Sequence, residues 1–341
     1  MIRSARVARA FSVATIGILL LSGCAGGRTT EAVSESEAVS PAADPVAIKV
    51  GTLPTEDSLP LWVAEEKGYF AAEGLPSVEI VVFQSAQERD VAFASGAIDA
   101  FMGDIIASAN LEAAGSGVTL ATVMLGADQS QGRFGIVAPA GWDGGTGGEG
   151  LGRLAGVPVG TSSATIQEYV LDGLMAEAGV PAEEVKIEEV KKVPVRFELL
   201  MAGKLEAAAL PEPFLSLAEA QGAVLIADDL ATKVNLSQTV LGVSDTYLAE
   251  PGGSESVEAV MSAWDKAAAD INADPESFRP LLVEQARLPK PIETTYEVNS
   301  YPMHTLPAQG EVDAVLSWMK GKGYLKADVT YEDLTPATPA K

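Results

Sequence analysis

Val78-Glu79-Ile80-Val81-Val82-Phe83 is a run rich in β-branched residues, and the stretch it opens decides the fold. The run predicts a strand. Gln87 to Ser95 follows as a helix stopped at Gly96, and Ala100-Phe101-Met102 is a short buried strand. Ile105 to about Ala114 reads as a second helix and Val118 to Leu125 as a further strand. Alternating helices and apolar strands are the pattern of a parallel sheet covered on both faces.

Upstream, Ile48-Lys49-Val50 starts a strand broken by Gly51 and Pro54. Ser58 caps a helix from about Leu59 to Lys67, with Pro60 tolerated in its first turn and Gly68 ending it. Downstream the alternation restarts. Phe134–Ala138, Val157–Gly160, Val185–Val190, Ala207–Leu210 and Val224–Ile226 read as strands. Thr165–Ala178, Arg196–Ala202 and Phe214–Gln221 read as helices between them, and the chain beyond Ser254 is mostly helical. The Gly-rich segment from Gly141 to Gly152 reads as a flexible connector. Its Gly145-Thr146-Gly147-Gly148-Glu149-Gly150 match to G-x-G-x-x-G lacks the strand-to-helix context of a dinucleotide site. No repeat with a period of 20–50 residues is visible, so the halves are expected to share architecture only.

The chain has 341 residues, 47% of them hydrophobic, enough for about two domains with real cores. Its formal net charge is −24, which argues against binding nucleic acid. Single Cys and His residues, Cys24 and His304, exclude a disulfide framework and the usual Cys/His zinc site. They also remove the usual Cys–His and Ser–His catalytic pairs, so the composition leans away from hydrolytic enzymes, and neither a metal nor a cofactor is expected. His304 reads as an exposed structural residue. Residues 1–23 resemble a secretory signal peptide: Arg3, Arg6 and Arg9, an apolar run from Phe11 to Leu21, then small residues. Leu21-Ser22-Gly23-Cys24 resembles a bacterial lipobox, which makes Cys24 the expected lipidation site and membrane anchor. Residues 24–45 are expected to form a disordered tether.

In open α/β sheets, ligands sit beyond the carboxyl ends of strands, beside helix N-termini. That rule selects the loops Thr52–Ser58, Gln84–Gln87, Gly103–Asp104, Thr161–Thr165 and Pro211–Phe214. Within them Thr52, Ser58, Leu59, Gln84, Ser85 and Gly103 are candidate ligand contacts in the first half. Thr161, Ser162, Ser163 and Thr165 form a polar or anion cradle, or a plain N-cap. Asp104 would accept hydrogen bonds from a ligand amine or cap its own helix, and Glu212 between two prolines is a rigid contact. Arg133 would clamp a carboxylate or sulfonate, or stand as a solvated hinge residue. Trp142 is a candidate cover for the cleft mouth, whereas Trp62, Tyr69 and Phe70 read as core.

Several segments resemble one family, the type II periplasmic solute-binding proteins of ABC importers, in the NMT1/THI5-like and aliphatic-sulfonate (taurine)-binding branch. They are Gly51-Thr52-Leu53-Pro54 with Leu59 to Phe70, Glu79 to Ser85, and Ala94 to Ala100. Val157 to Ser163, Gly203 to Phe214, and Gly321 to Leu325 ahead of Val329-Thr330-Tyr331 complete the set. The resemblance implies an α/β, two-lobed clamp: two parallel-core sheets with flanking helices and a cleft between lobes. It implies lobes of about 46–136 plus 240–341 and about 137–239. It also implies a monomer that delivers a small organic solute to permease and ATPase subunits without chemistry. The solute would be a sulfonate, a thiamine-precursor-like heterocycle or a related nitrogen compound. The yeast pyrimidine-synthesising enzyme of the same superfamily uses Cys and His residues that this chain lacks. An enzyme on the same clamp and a signalling receptor lobe are the competing readings.

Overall fold

The computed structural model describes residues 43–131 and 133–336. The leader, Cys24 and most of the tether lie outside the described residues. The tether's expected end needs correction, because Ala43 donates to the Glu255 carboxylate and Val46 to Ser256 Oγ. The ordered chain thus begins before residue 46.

In chain order the first elements are β1 (Ile48–Thr52), α1 (Leu59–Glu66), α2 (Tyr69–Ala72) and β2 (Val78–Val82). Then come α3 (Ala86–Ala94), β3 (Ala100–Asp104), α4 (Ile105–Ala113) and β4 (Val118–Leu125). A second series follows: β5 (Phe134–Ala138), α5 (Gly147–Arg153), β6 (Pro158–Thr161), α6 (Ile166–Glu177) and β7 (Lys186–Glu189). It continues through α7 (Val193–Met201), β8 (Ala207–Pro211), α8 (Phe214–Ala220) and β9 (Val224–Asp228). The chain ends with β10 (Thr239–Ser244), α9 (Asp245–Leu248), α10 (Gly253–Ala273), α11 (Arg279–Gln285), α12 (Gln309–Lys322) and α13 (Tyr331–Leu334).

Two five-stranded sheets result, ordered β2-β1-β3-β10-β4 and β7-β6-β8-β5-β9. Each has a parallel core, β1 against β2 and β3, and β6 against β7 and β8. Each also holds one reversed strand: β10 runs antiparallel to β3 and β4, and β5 to β8 and β9. The sequence reading missed β10, a six-residue strand whose central Gly242 breaks the apolar run. The glycine is required there because a Cβ would lie 2.6 Å from the Phe101 ring, which also fills the space at Gly103. The expected boundary at 136 falls inside β5, which pairs wholly within the second sheet.

The Gly-rich connector is also corrected. Gly147–Arg153 is helical, and Gly150 is packed so closely that a Cβ would meet Gly145 O at 2.5 Å and Ile226 at 2.7 Å. Only glycine permits that approach to β9. Trp142 is no cleft cover: its Nε1 donates to Gly145 O at 2.8 Å and its ring lies against Gly144.

The likeness between halves extends to residues, not to architecture alone. Arg89 on α3 donates Nη1 to Met102 O at 2.6 Å, and Arg196 on α7 donates Nη1 to Ala209 O at 2.7 Å. A Cβ at Gly51 would meet Ile98 and Arg89, and one at Gly160 would meet Leu205 and Arg196. Arg89, Ile98 and Met102 therefore repeat, at the same spacing, as Arg196, Leu205 and Ala209. In each half a buried guanidinium ties the helix after the second parallel strand to the third.

One apolar cluster lies under α1 and α10, around Trp62, Phe70 and Trp264. Another joins the two sheets, bringing Ile105, Ile106 and Val240 together with Ile166, Val170 and Leu236. Val312, Val315, Leu316 and Met319 of α12 complete it. Beyond them Lys322 reaches both Glu168 and Asp172 at 2.7 Å, and Trp318 Nε1 donates to Asp172. Helix α12 thus straps the second sheet's helix α6 to the rest of the body. Among the described residues, no helix is long and apolar enough to cross a membrane.

Candidate functional site

Where the strand ends of the two sheets face each other lies a cavity of about 150 Å³. Its first wall comes from the loop after β1 (Leu53, Glu56, Asp57) and the end of β3 (Met102, Gly103, Asp104). The opposite wall comes from the start of α6 (Thr165, Ile166, Gln167), the end of β8 (Pro211, Glu212) and Phe134. Thr239 of β10 and Ser237 close one side. A wider depression of about 430 Å³ shares Arg133 and Glu212 with it and opens outward past Tyr296, Glu297 and Asn299.

Of the residues expected from the sequence, Gly103, Asp104, Arg133, Thr165 and Glu212 line this cavity. The others are placed differently. Leu59 is wholly buried in the core beneath α1. Thr52, Ser58 and Thr161 are also wholly buried, and their hydroxyls have no hydrogen-bond partner among the described residues. Ser58 precedes α1 but makes no side-chain cap, because it already has helical backbone angles. Ser85 caps α3 by accepting from Glu88 N, and Gln84 is exposed, its N–H directed to the Glu88 carboxylate. Ser162 is buried outside the lining. Ser163 gives both its N–H and its hydroxyl to Glu189. Gln84 and Ser163 therefore do not face one another across the cavity.

Glu56, Asp57, Asp104 and Glu212 bring four carboxyl groups to a wall otherwise largely apolar, with Leu53, Met102, Leu125, Phe134, Ile166 and Val193. Glu56 is 4% exposed and its Oε2 accepts from Tyr296 OH at 2.6 Å and Asn299 Nδ2 at 2.9 Å. Burial, then the charge of Glu212 across the cleft, push its pKa up to about 8. Asp57 accepts from Thr239 Oγ1 at 2.9 Å, and burial raises its pKa against the pull of that bond and of Arg89. Asp104 caps α4 by accepting from Ala107 N at 2.7 Å. Burial raises its pKa too, while Ala107 N–H, the Arg89 charge and the N–H of Ile166 on the facing lobe favour its charged form. Glu212 is held by Ser216 and Arg133, again with a pKa raised by burial.

Two guanidinium groups reach this wall, and both are already engaged. Arg89 bonds Asp90 twice and Met102 O once, over the face of Phe101 at 5.2 Å. Arg133 pairs with Glu219 at 2.8 Å, Asp228 at 2.9 Å and Glu212 at 3.3 Å. Burial works against its charge, but these acids outweigh that and raise its pKa. The expectation of Arg133 as an open anion clamp, or as a solvated hinge residue, is thus corrected: three carboxylates occupy it. Glu56, Asp57, Arg89 and Thr239 are among the lining residues that sequence reasoning missed. Glu56 and Asp57 were inside a selected loop, as adjacent acids following a strand end. Arg89 is one turn into its helix, and Thr239 belongs to the unrecognised β10.

The sequence matches the model of the NMT1-like family over residues 41–279, and the chain belongs to that family. No curated protein matches it in sequence. Among solved structures it is similar to the periplasmic aliphatic sulphonate binding protein SsuA from Escherichia coli. That match has 18% identity and a TM-score of 0.71, covering 86% of this chain and 92% of that one. The alkanesulfonate-binding protein SsuA from Xanthomonas axonopodis pv. citri, bound to MOPS, matches at 19% identity and TM-score 0.69, covering 84% and 97%. The periplasmic nitrate-binding protein NrtA from Synechocystis PCC 6803 matches at 16% identity and TM-score 0.68, covering 84% of each chain. Two mixed sheets with flanking helices, facing across a cleft, are the type II periplasmic-binding-protein fold.

Proposed function

We propose that this protein is the solute-binding component of an ABC importer, held outside the cytoplasmic membrane by a lipid on Cys24. It takes up a small organic solute between lobes of about 46–133 plus 239–341 and about 134–238, and presents the closed complex to permease and ATPase subunits. The family and the likeness to sulphonate- and nitrate-binding proteins support the transport role. The observation that carries it is the cavity itself: loop tips from both sheets, Asp104 from one and Glu212 from the other, meet around a partly open space. At about 150 Å³ that space suits a solute smaller than the drug-sized ligands of typical pockets, which run to about 300–1,000 Å³. Gly103, Asp104, Arg133, Thr165 and Glu212 are proposed as wall residues, joined by Glu56, Asp57 and Thr239. The cavity wall contains neither Cys nor His, and the function proposed is capture, not turnover.

Native mass spectrometry of the full chain, purified without refolding, tests this. A co-purifying small molecule should be recovered chemically unchanged. Adding it back should raise the melting temperature by mass action, about 2.7 kcal/mol at a hundredfold excess over Kd. Conversion of the recovered molecule on incubation would make the protein an enzyme and overturn the proposal.

A further inference from the structure

Most anion-binding groups at the cleft are already engaged by the chain itself; among the described residues Arg133 Nη2 and Thr55 Oγ1 on the cavity wall have no partner. The cradle before α6 gives Ser163 N and Oγ to Glu189, and Ala164 N to Glu168 at 2.6 Å. The N–H of Ile166, at the positive end of α6, acts on Asp104 from the facing lobe. In the first lobe, Ser85 Oγ and Gln84 N are taken up by the backbone N–H and carboxylate of Glu88. Arg133 is held by three acids and Arg89 by Asp90 and a carbonyl. A sulfonate entering this cavity would find most donors engaged and would face the carboxyl groups of Glu56, Asp57, Asp104 and Glu212.

Acceptors, by contrast, are left over. Glu56 lines the cavity, and the hydrogen bonds to its carboxyl group from Tyr296 and Asn299 both fall on Oε2. Gln238, 7% exposed, donates to Glu311, while its Oε1 has no partner beside a void of about 20 Å³ that Asp104 also lines. Buried oxygen acceptors without donors carry a desolvation penalty that an incoming N–H group removes. The outer depression adds Glu219 and Glu297, so acid also surrounds the approach. These carboxyl groups are spread around the wall. Among the described residues, no set of three or more acidic, His or Cys side chains is arranged to hold a metal ion.

We infer that the solute is a small organic cation bearing several N–H donors, of the amidinium, guanidinium or protonated amino-heterocycle kind, and not a sulfonate. This rests on the solute-binding reading above and narrows it to the nitrogen compounds. Asp104 on one lobe and Glu212 on the other would take its donors, and Glu56, protonated at neutral pH in the empty cavity, would release its proton as the lobes close on the charge.

The test is calorimetric titration of the full chain with acetamidine, guanidinium and 4-aminopyridinium salts, against ethanesulfonate, taurine, nitrate and calcium chloride. At least one organic cation should bind, and ethanesulfonate and nitrate should not. Asp104→Asn, which keeps an N-capping side chain, and Glu56→Gln should each weaken that cation by about tenfold or more, equivalent to about 1.4 kcal/mol. Binding of a sulfonate or nitrate with no cation bound would overturn the cation inference and leave the solute-binding reading standing. So would binding of calcium alone, or cation affinity unmoved in both variants. Failure of every probe, with no small molecule co-purifying, would overturn both.

Discussion

Glu56→Gln should make the protein more stable, and the gain should grow with pH. In the folded protein the Glu56 carboxyl is buried beneath Tyr296, Asn299 and Tyr301, with Glu212 and Asp57 close enough to oppose its charge. Its pKa rises from 4.5 to about 8. Below pH 4.5 the carboxyl is neutral in folded and unfolded chains alike and costs nothing. Between 4.5 and 8 the unfolded chain releases the proton while the folded chain keeps it, so stability falls as pH rises; above 8 the penalty levels off. At about 1.4 kcal/mol per pH unit, the penalty is about 1 kcal/mol at pH 5 and about 3 kcal/mol at pH 7. A glutamine removes it, because its carbonyl oxygen can still accept from Tyr296 OH and Asn299 Nδ2. With an unfolding entropy of about 2 cal/mol/K per residue, the melting temperature should rise by about 5 °C at pH 7 and by only 1–2 °C at pH 5. Differential scanning calorimetry of both proteins at pH 5, 6, 7 and 8 measures the gap. A gap that stays constant across that range, or a variant less stable at pH 7, would refute the reasoning.

The same variant is expected to lose cation affinity, so stability and binding should move in opposite directions at this residue. Gly242→Ala should destabilise the first sheet by about 1–3 kcal/mol, since the new methyl meets the Phe101 ring that supports Arg89; urea unfolding reads this as a lower midpoint at unchanged slope. Lys322→Ala removes the cation from Glu168, which is buried on α6, and from Asp172. A loss of about 1–2 kcal/mol is expected for this partly exposed lysine. Hydrogen exchange should rise in residues 309–322, and unchanged protection there would show that α12 is held without it.

What the sequence made legible was periodic. The strands on either side of α3 and α4 are apolar runs punctuated by Gly96, Gly115 and Gly117, and their positions follow from local chemistry alone. β10 was hidden for the opposite reason. Its partners are β3 and β4, more than a hundred residues earlier, and Gly242 answers the Phe101 ring, not a local preference. The cleft was partly legible. Asp104 and Glu212 follow strand ends, where topology alone places a ligand. The role of Arg133 depended on Glu219 and Asp228, which reach it from other elements, so its isolated charge misled. Similarly, Ser163 reads as a ligand contact until Glu189 is placed beside it. Strand ends can be read one residue at a time, but net local charge is a property of the assembled wall.

The reversed strands carry a consequence for the order of assembly. Every strand of the second sheet lies within 134–228, so that sheet can close as soon as its own segment is available. In the first sheet β3 and β4 are neighbours in sequence but are separated by β10, which arrives only at Thr239. A nascent chain stopped near residue 235 would therefore hold one finished sheet and another whose β3 and β4 lack the strand that joins them. Long loop closures of this kind are slow. In a chain exported unfolded, the half emerging first would be the last to lock.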